Sequence, residues 1–177
     1  MITVILVRHG KAQKGGVGVP DIERHLTEKG LLALSDAYPQ TFGALVGDDS
    51  TSLEIWRSPA IRAQETAAVI EDALMEVHEG SFAASDHDCL FEQDAQVFLG
   101  ELEQLIAEKS SEDAHTLICV GHVPFMEDIA HYLTGVDLPF STGAACAVGL
   151  EDTCHPDPVT LRAPGRLLWF VQGPKVN

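Results

Sequence analysis

Three short apolar runs in this chain each stop abruptly at basic or hydroxyl side chains. VILVRHG ends in Arg8 and His9, LEIWRS ends in Arg57 and Ser58, and HTLICVGH ends in His122. Runs of this length, bounded by polar residues, read as strands buried on both faces. Stretches with helical spacing lie between them. Strand and helix in alternation imply a mostly parallel sheet with helices on both faces.

The expected elements follow in order. Ile2 to Val7 forms the first strand, and Gly15, Gly16, Gly18 and Pro20 then mark a flexible loop. No GKS or GKT follows these glycines, so they are not a P-loop. Thr27 is suited to cap a helix whose apolar stripe runs through Leu31, Leu32 and Leu34. A helix from about Pro59 carries Ala63, Ala67, Val69, Ile70 and Leu74. The acidic stretch from Glu76 to Gln93 reads mostly as loop. Ala95 to Glu108 reads as an amphipathic helix with Val97, Phe98, Leu102, Leu105 and Ile106 on one side, and another helix begins near Pro124. Two late strands, about Ala144 to Leu150 and Arg166 to Val171, can pair antiparallel at the sheet edge. The expectation is one domain over residues 1–177, of class α/β, with three α/β/α layers and a mostly parallel central sheet.

Charge narrows the partners. A net charge of −16, from 27 acidic and 11 basic residues, repels nucleic acid and anionic membrane, so neither is an expected partner. The N-terminal apolar run is too short to span a membrane and lacks the pattern of a secretory leader, which makes a cytoplasmic protein the default. Cys89, Cys119, Cys146 and Cys154 form no CxxC pair, and buried free thiols are expected of them. The run Asp86–Cys89, with His78 and Glu79 upstream, matches no zinc spacing and reads as a solvated loop, so no metal site is expected there.

In an open α/β sheet, ligands collect at the carboxyl ends of the strands. The three strand ends would therefore gather Arg8, His9, Arg57, Ser58 and His122. Arg62 stands at the start of the helix after the second strand. A single histidine or arginine in such a place is ordinarily a surface residue. Several together, in a chain this acidic, describe a pocket for a dianion such as a phosphoryl group.

The same residues form an ordered set of motifs. RHG at Arg8–Gly10, SPAIRAQET at Ser58–Thr66 and GH at Gly121–His122 resemble the signature of the histidine phosphatase (phosphoglycerate mutase-like) superfamily, whose second motif reads SPxxRAxxT. RHLTEKG, Arg24 to Gly30, resembles the family's RPLTxxG segment, with His25 where proline is usual. The resemblance implies a phosphoglycerate mutase-like fold and a phosphohydrolase that works through a covalent phosphohistidine, without cofactor or metal. It implies His9 as nucleophile, Arg8 and Arg62 as catalytic and substrate-binding cations, Ser58 as a substrate-binding residue, and His122 as a further donor to the phosphoryl oxygens. The short chain leaves little room for the capping insertions of the mutases. Together with GHVPFMEDIAHYL and STGAACAV, its layout resembles the SixA-type phosphohistidine phosphatases. The expected substrate is phosphohistidine on a protein. A small phosphomonoester, or a non-catalytic role in binding a phospho-ligand, are the rivals. Glu92 is the candidate for a general acid.

Overall fold

The computed structural model describes residues 1–46, 52–77, 82–109, 114–160 and 162–176. His78 and Glu79 lie outside the described residues. The strands are β1 (Ile2–Arg8), β2 (Ser52–Arg57), β3 (Ala83–Asp86), β4 (His115–Gly121), β5 (Ala145–Leu150) and β6 (Gly165–Val171). The helices are α1 (Glu28–Leu45), α2 (Ile61–Met75), α3 (Asp88–Glu92), α4 (Ala95–Glu108) and α5 (Phe125–Thr134). The strands make one sheet in the order β3-β2-β4-β1-β5-β6. β1 to β4 run parallel, while β5 and β6 form the antiparallel edge. This is the mixed sheet that the alternating pattern implies.

Alternate residues along the central strands feed two separate cores, as the two-residue period of a strand requires. Val4, Leu6, Trp56, Leu117 and Cys119 pack with Leu90, Phe98, Leu102, Met126 and Ile129 from α3, α4 and α5. Ile5, Val7, Ile55, Ile118 and Val120 pack with Leu34, Tyr38, Phe42, Ala67 and Ile70 from α1 and α2. All seven residues of β4 are buried. Each fully buried aliphatic side chain contributes about 1.5–3 kcal/mol, so the middle of the sheet is rigid. All four cysteines are free and buried. No helix among the described residues is long and apolar enough to cross a membrane.

Several expectations need correction. Leu34 is buried with Tyr38 and Phe42 at four-residue intervals, but Leu31 and Leu32 are exposed, because α1 touches the sheet along one narrow stripe. Val97 is exposed for the same reason on α4. The second helix starts at Ile61 rather than Pro59, with Ala60 as its N-cap. Part of the acidic stretch is ordered as β3 and α3, and Cys89 within it is buried, so Asp86–Cys89 is not a solvated loop. The glycine- and proline-bearing loop ends in a 3-10 turn, Asp21–Glu23.

Two motif glycines have steric reasons. A Cβ on Gly10 would lie 2.5 Å from Leu34 Cδ1, so glycine lets α1 approach the end of β1. One on Gly30 would collide with the carbonyl oxygen of Lys11, which also accepts the Thr27 N–H at 2.8 Å. Thr27 caps α1 by accepting the Gly30 N–H at 3.0 Å, as its sequence position implies. Gly30→Ala should therefore lower stability by about 1–3 kcal/mol, read from urea unfolding. An unchanged midpoint would show that the Lys11 carbonyl yields at no cost.

Candidate active site

β1 and β4 are paired in register, with Arg8 opposite Gly121, and the pairing continues past the strand ends. The His9 N–H donates to the Gly121 carbonyl at 3.0 Å, and the Ser58 N–H donates to the Val120 carbonyl at 2.9 Å. The ends of β1, β2 and β4 are thus locked side by side. Arg8, His9, Arg62 and His122 line one cleft of about 450 Å³, with Lys11, Asp21, Arg24, Phe91, Gln93 and Thr142 around them. The His9 and His122 ring centroids are 5.0 Å apart.

Hydrogen bonds define the state of His9. Its Nδ1 lies 2.7 Å from the Gly10 carbonyl oxygen, which can only accept, so Nδ1 carries the proton. The Arg62 Nε–H donates to its Nε2 at 3.2 Å, so Nε2 presents a lone pair toward the cleft. Burial, with lesser help from Arg62, Arg8 and Arg24, lowers the His9 pKa to about 4. Burial also lowers His122 to about 3, assisted by His9 and Arg62. His122 Nδ1 accepts from Arg62 Nη2 at 3.3 Å, which leaves its Nε2–H to donate to Ser58 Oγ at 2.8 Å. Both imidazoles are neutral at pH 7.

Arg62 is the hub. It is 3% exposed, and a buried guanidinium is costly unless its donors are taken up. Besides the two histidines, it donates from Nη1 to the Asp21 carbonyl at 2.6 Å and from Nη2 to the Asp21 carboxylate at 2.8 Å. Arg24 donates to the same carboxylate at 2.8 Å. Burial opposes ionisation of Asp21, but these two arginines outweigh it and hold the acid below its usual range. Arg8 donates to the Phe140 carbonyl at 2.7 Å. Four of the chain's eleven cations therefore border one cleft, which among the described residues contains a single carboxylate.

The second motif, read along α2, is a set of anchors. Ser58 is fully buried; it holds His122 and accepts the Ala60 N–H at 3.2 Å. Glu65 accepts from His25 Nδ1 at 2.6 Å and from the Leu26 N–H at 2.7 Å. Thr66 Oγ1 accepts the Gly10 N–H at 3.1 Å. The motif thus reaches each of the other three.

Three expected residues are elsewhere. Arg57 pairs with Asp86 at 2.7 Å and faces Glu71, outside the cleft. Ser58 does not line the cleft either, because its hydroxyl is buried against His122. Glu92, the candidate acid, is exposed and not a lining residue. Its neighbour Gln93 takes that place, turned in by a left-handed backbone (φ 60°), with Oε1 accepting the Phe125 N–H at 3.3 Å. The sequence reading missed Gln93, Phe91 and Asp21. For Asp21 a signal existed: it sits three residues before Arg24 in the RHLTEKG segment. A larger cleft, about 590 Å³, adjoins Asp152, His155 and Arg166, but its His155 is engaged by Tyr132 and Glu103. Size does not decide between the two clefts; the convergence of neutral histidines with cations does.

No protein-family model matches the sequence, and no curated protein matches it. Solved structures do resemble the fold. The protein histidine phosphatase SixA, solved with tungstate, superposes with a TM-score of 0.72 at 21% identity, covering 96% of both chains. A protein assigned as SixA from Agrobacterium tumefaciens gives 0.69 at 22% identity over 96% of both chains. A mycobacterial glucosyl-3-phosphoglycerate phosphatase gives 0.58 at 14% identity, covering 98% of this chain and 99% of that one. The chain has the fold shared by SixA and other histidine phosphatases.

Proposed function

We propose that this protein is a histidine-type phosphatase that hydrolyses phosphohistidine on a protein. One observation carries the reading: His9 offers an Nε2 lone pair, fixed by the Gly10 carbonyl, at the floor of a cation-lined cleft. Nε2 attacks phosphorus in line, the bond to the leaving group breaks, and the phosphoryl group is held on His9. Water then attacks phosphorus and releases inorganic phosphate. Arg8 and Arg62 bind the phosphoryl oxygens, Arg62 exchanging its Asp21 carboxylate for them. His122 is neutral in the free enzyme and takes up a proton at Nδ1 when the dianion arrives, which converts it to a donor. Ser58 acts as a positioning residue for His122. The side chains supply the charge that a metal would, so turnover should survive EDTA.

The substrate class follows from a missing acid. Among the described residues the cleft holds one carboxyl group, Asp21, and two arginines keep it ionised. Gln93 stands where Glu92 was expected, and an amide donates no proton to a leaving oxygen. An alkoxide resembles hydroxide, whose conjugate acid has a pKa of about 15.7. A phosphohistidine that has taken a proton from solvent at its free ring nitrogen releases neutral imidazole, whose conjugate acid lies near about 6.5, and so it needs no acid from the protein. The neutral flanks of the cleft, Phe91 and Val123, are open enough for a side chain presented on a protein surface.

The test is a panel of phosphohistidine protein and small phosphomonoesters, assayed with wild type and Gln93→Glu. Wild type should favour phosphohistidine by at least about 100-fold in kcat/KM, and Gln93→Glu should narrow that ratio by raising monoester turnover about tenfold or more. A wild-type preference for alkyl phosphates would transfer the assignment to a small-molecule phosphatase. Absence of phosphate release from every substrate would leave only a binding module.

A further inference from the structure

The segment that delivers Phe91 and Gln93 to the cleft is rooted in a second cluster of reactive side chains. His87 is the N-cap of α3, Cys89 lies in its first turn, and Glu101 projects from α4. One ligand atom each from His87, Cys89 and Glu101, a ring nitrogen, the sulfur and a carboxylate oxygen, all lie within 4.8 Å of one another. The His87 Nδ1–H donates to Glu101 Oε2 at 2.7 Å, and the Cys89 thiol donates to the same oxygen at 3.6 Å. None of the three lines the cleft. We propose that His87, Cys89 and Glu101 form a binding site for a divalent transition metal, best matched by zinc, which fastens the start of α3 to α4.

The donor set selects the ion. Imidazole nitrogen, thiolate sulfur and carboxylate oxygen together suit zinc, whereas magnesium and calcium take oxygen ligands. The dimensions also fit. Tetrahedral zinc, with bonds of about 2.0 Å to nitrogen or oxygen and about 2.3 Å to sulfur, holds its ligand atoms roughly 3.3–3.6 Å apart. The present separations, from 2.7 Å to no more than 4.8 Å, bracket that span. Small side-chain rotations are enough to admit the ion.

The ligands are also held ready. The His87 ring stacks on Trp56 with centroids 4.3 Å apart and planes 20° from parallel. Ser85 Oγ lies 2.9 Å from the ring's Nε2. A hydroxyl can donate to Nε2 now and accept from Nε2–H once Nδ1 binds metal, the outer partner that ligating histidines ordinarily have. Cys89 is buried, while His87 and Glu101 are 18% and 37% exposed, which gives an entry path and room for water as fourth ligand. A histidine–carboxylate pair alone would explain His87 and Glu101, but not a buried thiol placed at their junction. On binding, the thiol proton passes to solvent and sulfur bonds the ion as thiolate, while the imidazole stays neutral with its proton on Nε2.

The role is structural. Phe91, two residues beyond Cys89, packs edge-on against His122 at 5.8 Å, so the seating of α3 bears on the cleft wall. The full chain, stripped with a chelator and dialysed, should bind one equivalent of Zn²⁺ in competition with a chromogenic chelator. Co²⁺ in its place should give a thiolate-to-metal charge-transfer band, and Zn²⁺ should raise Tm. Cys89→Ser should abolish the band and weaken Zn²⁺ binding at least about 100-fold. Glu101→Gln keeps the shape of a partly exposed side chain and should weaken binding at least about tenfold with the apo Tm unchanged. Failure of wild type to bind either ion, a Co²⁺ complex without a thiolate band, or Cys89→Ser binding as tightly as wild type would each overturn the site. These readouts need no turnover, so they stand apart from the phosphatase assignment.

Discussion

His9→Ala is expected to lose at least about 10⁴-fold in kcat/KM on phosphohistidine, the scale seen when a covalent nucleophile is removed and only binding groups remain. The loss should fall on turnover more than on affinity. Arg8 and Arg62 are anchored by the Phe140 carbonyl and by Asp21, not by His9 alone, so the oxyanion site outlasts the imidazole. Inorganic phosphate should therefore still inhibit the variant or protect it from unfolding. A rapid quench of wild type with labelled substrate should trap acid-labile, base-stable phosphate on His9. Residual activity within tenfold of wild type would remove His9 from the nucleophile's role, whatever the substrate.

The second large effect concerns stability in acid. His9 and His122 stay neutral in the folded protein down to about pH 4 and about pH 3, chiefly because they are buried. In the unfolded chain both take up protons near about 6.5. Below that pH the unfolded state binds up to two more protons than the folded one, so stability is full above it and falls as pH falls. The slope approaches roughly 2.7 kcal/mol per pH unit for two such groups. Between pH 7.5 and pH 5 the loss should reach about 4 kcal/mol, a large share of the roughly 5–15 kcal/mol that a domain of this kind holds. His115, whose pKa burial also lowers, acts in the same direction. Urea unfolding at the two pH values measures the loss, and His122→Gln should remove about half of the two-histidine share. Stability within about 1 kcal/mol at both pH values would contradict buried neutral imidazoles.

How much of this was legible in the sequence differs by link. The sheet was legible because its central strands are apolar on both faces, and the parallel crossovers follow from the helical stretches between them. The convergence of Arg8, His9, Arg62 and His122 on one cleft was legible because each ends a strand or opens a helix, positions that the topology forces to one edge. Asp21 was legible only through its three-residue spacing to Arg24, since no periodicity governs a loop and its value comes from Arg62, forty-one residues away. The expected acid, Glu92, does not reach the cleft: a left-handed turn presents the amide of Gln93 there and leaves Glu92 in solvent. Ser58 was correctly placed at the strand end, yet burial turned it from a substrate contact into a support for His122. Leu31 and Leu32 look like core in a list of apolar residues, but only one stripe of α1 can meet a flat sheet. The ordering of His87 and Cys89 against α4 depends on Glu101, which local composition does not reveal.

The strand order carries a consequence for how activity arises. β1 and β2 follow one another as strands in the chain but do not pair; β4, more than a hundred residues after β1, is inserted between them. Until that insertion, the segments bearing His9 and Arg62 have no common sheet, and the carbonyls of Val120 and Gly121 that hold their strand ends level are absent. Such non-local closure pays its loop entropy before any contact rewards it, and so belongs among the later events of folding. A chain folded only through its first half has no weak version of this site. Competence comes with β4, in one step, or not at all.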